Sequence, residues 1–323
     1  MLNPILAFSA TRRMRSFRTM LIVIAYMAVL LVIALAFLNP FIRDTLGLDD
    51  MIRGVECYLF LLAAQFGLLI LIAPAMTSAS IAGERERQTM ELLLVTNTGS
   101  FRIVLGKALE SFAVLALLIV CGLPVMSLCL LTGGITLMQI LMGELFLLAV
   151  AFACVSVGVF CSSIARSTVL SGVMSYLVIL LIGAVTTLPV LLGYPQRITN
   201  VLYDSTEYAA LTAAGARAMI SPLLYTNPGF GLLSLVQDQM HLFGTYAEDR
   251  GWGRIYATWL MADRAGWLFN AAACMIAMLV ISVILLGLAS LAVRKGNKVI
   301  RFGRIRSYTP NLLSSRSIFN ADG

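Results

Sequence analysis

The residues best equipped for chemistry stand together at Glu84-Arg85-Glu86-Arg87-Gln88-Thr89, followed by Glu91 and, further on, Gly106-Lys107. Four charged side chains in succession, alternating in sign, suit charge-assisted contacts with a protein surface. The segment Glu84 to Val95 has the length of a short helix, charged early and apolar late. Two enzymatic readings nearby fail on spacing. Gly99-Ser-Phe-Arg-Ile-Val-Leu-Gly106-Lys107 separates its glycines too widely for a phosphate loop, Ala108 replaces the magnesium-binding hydroxyl, and no strand precedes it. Ser234, Asp238 and His241 share one helical face, but one helix does not aim all three at a common substrate. They read as the wet side of an outer helix. His241 is the single histidine, which excludes a histidine metal cluster.

A second group of polar residues lies inside apolar runs: Gln65, Glu110 and Glu144. An ionised side chain at the bilayer centre costs about 2.5–3.5 kcal/mol on insertion scales, so such groups face the protein interior or water. Glu110 has an intrahelical partner in Lys107 or Arg102. Glu144 is open to two readings, an interfacial residue reaching outward or part of a substrate path.

The elements that position these residues are membrane spans. The 323-residue chain is 60% hydrophobic and 12% charged, with a mean hydropathy of +0.92, a balance foreign to soluble domains. Apolar runs of about 20 residues or more, free or nearly free of charge, predict six transmembrane helices, at 19–42, 57–82, 107–131, 138–161, 168–192 and 267–293. Thr132-Gly133-Gly134 divides the third from the fourth. Pro74 and Pro124 are expected to bend spans two and three, and Gly158-x-x-x-Ser162 to allow close helix contact. With both termini cytoplasmic, 16 of the 23 basic residues fall inside, a positive-inside asymmetry. The net charge of +7 thus serves anionic lipid, and no nucleic acid is needed to explain it. Residues 1–18 form a basic amphipathic start, and the apolar run after them overshoots a cleavable signal's core, so it is kept as the first span.

The loop 83–100 projects into water on the inner face, a long outer loop covers 193–265, and 294–323 form a basic tail. Within the outer loop, Asp204 and Glu207 are placed as a capping box. Asn227-Pro228 reads as N-cap and first helical residue of a segment through Phe230 to Met240. That segment either dips into the outer leaflet, packs on the spans, or belongs to a small outer globule. Cys57, Cys121, Cys129, Cys154, Cys161 and Cys274 lie in or beside spans and read as packing residues, with no disulfide framework.

The run Glu84-Arg-Glu-Arg-Gln-Thr89-Met-Glu91-Leu-Leu-Leu-Val-Thr96, then Ile103-Val-Leu-Gly106-Lys107, resembles the inner loop of ABC-2 type permeases, the membrane subunits of ATP-binding cassette exporters. Asn3-Pro4-Ile5-Leu6 with the Arg12–Arg18 cluster is similar to that family's surface helix, and the likeness extends along the chain. Two departures stand in the loop: Gln88 where the family often has glycine, and Thr96-Asn97 where it commonly has Thr-Pro.

The resemblance implies an all-α membrane protein of ABC-2, type V exporter-like architecture in a prokaryotic inner membrane. It makes the loop a coupling helix, with Glu84, Arg85, Glu86, Arg87, Thr89 and Glu91 meeting a separate ATPase subunit and Leu92–Leu94 anchoring the helix. It implies no cofactor on this chain, since ATP and magnesium belong to the partner, and a second permease, like or unlike, completes the assembly. Spans two and five line the path between the two copies, and Gln65, Glu144, Asn227, Pro228 and Phe230 are the candidates for path or gate. An amphipathic or hydrophobic cargo suits spans without a charge-lined path. Two other readings predict different features. An ATP-independent transporter predicts inverted repeats and paired intramembrane charges. A relay or anchoring subunit that moves no substrate predicts an outer partner for residues 193–265.

Overall fold

Backbone amides inside hydrocarbon must find partners within their own segment, and an apolar run in a bilayer answers by coiling into a helix. The computed structural model describes residues 17–41, 48–88, 99–132, 135–202, 225–232, 235 and 267–308. Among these the chain is helical, with no strand. Its helices are α1 (Phe17–Phe41), α2 (Leu48–Thr77), the short α3 (Ala82–Glu86), α4 (Ser100–Thr132), α5 (Leu137–Ile164), α6 (Thr168–Leu202) and α7 (Trp267–Tyr308). All but α3 are long and apolar enough to cross a membrane. The protein is a multi-pass membrane protein.

The helices outlast the expected spans. α2 begins at Leu48, α4 at Ser100, α6 continues to Leu202 and α7 to Tyr308. The physical reason is that hydrocarbon thickness limits the apolar run, whereas backbone hydrogen bonding continues into the headgroups. Asp49, Asp50 and Arg53 open α2, and Arg294, Lys295, Lys298 and Arg301 ride on the end of α7. The α4–α5 division falls where the glycines of the Thr132-Gly133-Gly134 turn placed it. Thr136 closes it with a capping box: its hydroxyl accepts from the Gln139 amide, and the Gln139 side chain returns to the Thr136 N–H.

α5 is the axle of the bundle. It packs against α2, α4, α6 and α7, and 67% of its membrane window is buried, against 11% for α6. Small residues make this possible. A Cβ at Gly158 would overlap the Thr77 hydroxyl, so the α2–α5 approach requires glycine there. Gly143 likewise lies against Tyr58 and Leu62, and the Tyr58 hydroxyl donates to the Gln139 carbonyl at 3.1 Å. The contact expected of Gly158 and Ser162 is present at both residues. The faces turned away from the bundle carry Leu31, Val32, Leu180, Leu181, Val283 and Ile284, all exposed, as lipid contact demands.

Candidate functional site

The charged loop is built as a bracket. α3 starts at Ile81, whose side chain cannot cap it. The missing acceptor comes from α5: the buried Ser162 Oγ accepts from the Ile81 and Ala82 amides at 3.0 and 2.9 Å. It also donates to the Ser78 carbonyl at 3.0 Å. One hydroxyl from a helix 80 residues away thus serves as the N-cap of α3.

The charges then fasten α3 to three spans. Arg85 donates through Nη1 to the Ala165 carbonyl at 3.0 Å and through Nη2 to the Ser163 carbonyl at 2.8 Å. These carbonyls end α5, where a cation is favoured by the helix dipole. Glu86 accepts from the Thr168 amide at 3.0 Å and from its hydroxyl at 3.1 Å, which places a carboxylate on the N-terminus of α6. Glu84 pairs with Lys107 of α4 at 2.7 Å, and Lys107 also reaches Glu110 at 3.7 Å. Glu110 therefore has the intrahelical partner expected for it.

α3 is shorter than the helix anticipated over Glu84–Val95. It ends at Glu86, and Gln88 takes φ 56°, the left-handed region that favours glycine. The Gln88 amide turns back to the Arg85 carbonyl at 3.1 Å. Gln88 is thus a side-chain-bearing residue held in a backbone conformation that glycine adopts more readily. Thr89, Glu91 and Leu92–Leu94 lie outside the described residues. Of the four consecutive charges, three are engaged within the chain, and Arg87 is exposed. Lys107, which a phosphate loop would need for its ligand, is held by two carboxylates.

The intramembrane polar residues form a second constellation. Gln65 of α2 and Glu144 of α5, singled out separately in the sequence, meet in the bundle, and Tyr26 of α1 joins them. The Gln65 amide lies beside both the Tyr26 phenol and the Glu144 carboxyl. Tyr26 is 2% exposed, Gln65 0% and Glu144 5%. Gly122 of α4 supplies the space, since a Cβ there would overlap Gln65 Nε2 and come within 3.2 Å of the Tyr26 oxygen. Tyr26 Oη, both amide atoms of Gln65 and both carboxyl oxygens of Glu144 have no aligned hydrogen-bond partner. Glu144 is about seven residues, or roughly 10 Å, from the start of α5. It is buried in the bundle, so the interfacial reading of this residue does not hold.

The outer residues form a third contact. Asn227 Oδ1 accepts from the Gly229 amide at 2.8 Å, and Nδ2 donates to the Thr186 hydroxyl of α6 at 2.8 Å. Pro228 opens a helical turn over 228–232, as the Asn-Pro pair implied. Phe230 is 4% exposed and meets Tyr225 edge-on. Gly231 abuts the Phe146 ring of α5 and Cys274 of α7, with a notional Cβ at 2.7 and 3.0 Å. The turn therefore packs on the spans. Asp204, Glu207, Ser234, Asp238 and His241 lie outside the described residues.

A shallow groove of about 370 Å³ runs between α2 and α6, lined by Ala75, Ser78, Thr168, Gly172, Val173 and Tyr176. These are spans two and five, expected beside the path, but Gln65 and Glu144 do not line the groove. Tyr26, Thr168 and Thr186 were missed in the sequence, and Ser162 was marked there for close helix contact and not as a cap. Each is a lone polar residue on a helix whose partner lies far away along the chain, and residue spacing carries no signal for that. Among the described residues no group of three His, Cys, Asp or Glu side chains could hold a metal. Comparisons with protein-family models and with curated proteins find no match to this chain.

Proposed function

We propose that this chain is the membrane subunit of an ATP-driven exporter of the ABC-2 kind, with hydrolysis on a separate ATPase chain. The observation that carries this reading is the bracket. A loop that passes movement from a soluble motor to membrane helices must be stiff and must be tied to more than one of them. The loop 78–88 is tied to α4 through Glu84, to the end of α5 through Arg85 and Ser162, and to the start of α6 through Glu86. The internal use of those charges changes the expected division of labour. Glu84, Arg85 and Glu86 stiffen the lever, and the exposed Arg87, with Thr89 and Glu91 beyond it, meets the ATPase. A partner that displaces the lever shifts the packing of α4, α5 and α6 together, and the nucleotide state selects between the packings.

Under this reading both termini are cytoplasmic, a second permease completes the assembly, and the α2–α6 groove faces the path between the copies. The cargo is amphipathic or hydrophobic, in keeping with the apolar lining of that groove. A second reading, a relay that moves no substrate, is favoured by the outer turn 225–232, which ties the outer loop to α5, α6 and α7. Gentle purification from the native membrane, with mass spectrometry of what accompanies the chain, tests the proposal. A stoichiometric ATP-binding subunit supports it. Recovery of the chain alone, even after cross-linking at Arg87, counts against it. ATP-dependent uptake of amphipathic dyes into inverted vesicles separates exporter from relay.

A further inference from the structure

Among the described residues, the cluster around Gly122 holds five of the eight buried side-chain polar atoms that have no hydrogen-bond partner. Native structures satisfy nearly all buried polar atoms, and those left over ask for a missing partner. Here five such atoms sit on three side chains from three helices, each at least nine-tenths buried. Among the residues whose side chains are described, no lysine or arginine pairs with the carboxyl. The stretches 19–36 of α1, 111–132 of α4, 168–186 of α6 and 271–293 of α7 contain no charged residue. On α2 the stretch 54–77 carries one carboxyl, Glu56, and the other titratable groups around the cluster are phenols and thiols. Tyr26 comes from α1, and Cys121 of α4 lies near it. Tyr58 of α2 is bonded to the Gln139 carbonyl. On α6, Tyr176 donates to the Leu71 carbonyl at 2.6 Å, and on α7, Cys274 lies against Gly231. The gap between Gly122 and Gln65 is filled, since even a methyl group there would strike the Gln65 amide.

We propose that Glu144, Gln65 and Tyr26 form an intramembrane proton-binding site, with one proton held on the Glu144 carboxyl. The cost of burial supports a proton: an ionised carboxylate in an apolar bundle with no cation beside it is far more costly than the neutral acid, and such a group neutralises. A carboxylic acid donates from one oxygen to Gln65 Oε1 and accepts on the other from Gln65 Nε2, which satisfies both side chains at once. Tyr26 then donates to the second lone pair of Gln65 Oε1. On release the carboxyl O–H bond breaks and the proton passes to water entering the site. The charge left on Glu144 accepts from Gln65 Nε2, while Gln65 Oε1 accepts from Tyr26. This inference stands whether or not an ATPase drives the chain, and its test needs no ATPase.

Infrared spectroscopy of the full chain in lipid vesicles at pH 7 tests it. Surface carboxyls are ionised at that pH, so a carboxylic-acid C=O band reports a buried proton. The expected result is such a band in the wild type, shifted in D2O and lost in Glu144→Gln. Gln65→Leu keeps the band but moves it to higher wavenumber, because the hydrogen bond to the amide is gone. A wild-type spectrum without the band overturns the proposal with no variant needed. A band that persists in Glu144→Gln, or one that does not move in Gln65→Leu, overturns it as well. If Glu144→Gln fails to insert, the wild-type band and the Gln65→Leu shift decide.

Discussion

Ser162→Ala removes one oxygen from the centre of the bundle, and the structure sets what should follow. The hydroxyl is the acceptor for the Ile81 and Ala82 amides and the donor to the Ser78 carbonyl. Alanine fits the same space, so no cavity or clash accompanies the loss. Three backbone groups lose their partner, and each unsatisfied buried group costs about 1–3 kcal/mol. The site is near the membrane surface, where water reaches part of the way, so the low end of each range applies and the sum is about 3 kcal/mol. Since about 1.4 kcal/mol corresponds to a factor of ten, the amides of 81–86 should exchange with solvent roughly 100-fold faster. Hydrogen exchange with mass spectrometry, on the chain in nanodiscs, measures this for the peptide covering α3. Peptides from the core of α5 should be unchanged. Unaltered exchange across 81–86 would refute the claim that α5 caps the loop, and with it the stiffness on which the coupling reading depends.

Other residues carry distinct expectations. Gln88→Gly removes the strain of a side chain in the left-handed region and should stabilise the loop by about 1 kcal/mol, read as slower exchange over the same peptide. Gly158→Ala should destabilise by about 1–3 kcal/mol through overpacking on Thr77. Adding Thr77→Ala should recover only part of this in a thermal melt, because the Thr77 Cβ also lies within 2.7 Å of the new methyl. Asn227→Asp keeps the cap on Gly229 but loses the donor to Thr186, while Asn227→Ala loses both. Proteolysis of the outer turn should therefore rank alanine above aspartate above wild type, the cap alone being worth about 1 kcal/mol. If the chain is the exporter subunit proposed above, Arg87→Glu should weaken recovery of an ATPase partner while leaving thermal stability within about 0.5 kcal/mol, as for an exposed residue without a buried role. Retention of the ATPase at wild-type levels in that variant would argue against Arg87 as a docking residue.

The spans were legible because hydropathy is a one-dimensional property, and Thr19–Ile42 needs no partner to declare itself apolar. The turn at Asn227-Pro228 was legible for a related reason, since an N-cap and a fixed φ act within two residues. The loop was only half legible. Its charges were evident, but their partners were not. Arg85 meets Ser163 and Ala165, and Glu86 meets Thr168, about 80 residues further along the chain. From Glu84–Val95 alone the charges invite an external partner, and the end of α3 at Glu86 depends on the backbone of Gln88. Gln65 and Glu144 stood out as polar residues in apolar runs. Their meeting did not, because Tyr26, Gln65, Gly122 and Glu144 come from four helices and touch only through packing.

These contacts share one helix, and that constrains how the molecule can move. α5 carries Ser162, Ser163 and the Ala165 carbonyl at the bracket, Glu144 in the polar cluster, and Phe146 against the outer turn. From Phe146 to Ser162 is about 24 Å along a helix, most of the hydrocarbon thickness. Its contacts with α2 are close-packed at Gly143 and Gly158, where a shift of a few tenths of an ångström already meets side chains. Such an interface does not slide by small degrees; it keeps its packing or exchanges it for another. A displacement of the loop therefore either stops at Ser162 or carries α5 as a body. In the second case the surroundings of Glu144 and the seat of Phe146 change together. Spin labels at Arg87 and at the outer turn distinguish the two, since a rigid α5 makes their distance changes rise and fall in concert. Independent changes would mean that the bracket ends at the membrane surface, and that α5 is scaffold rather than lever.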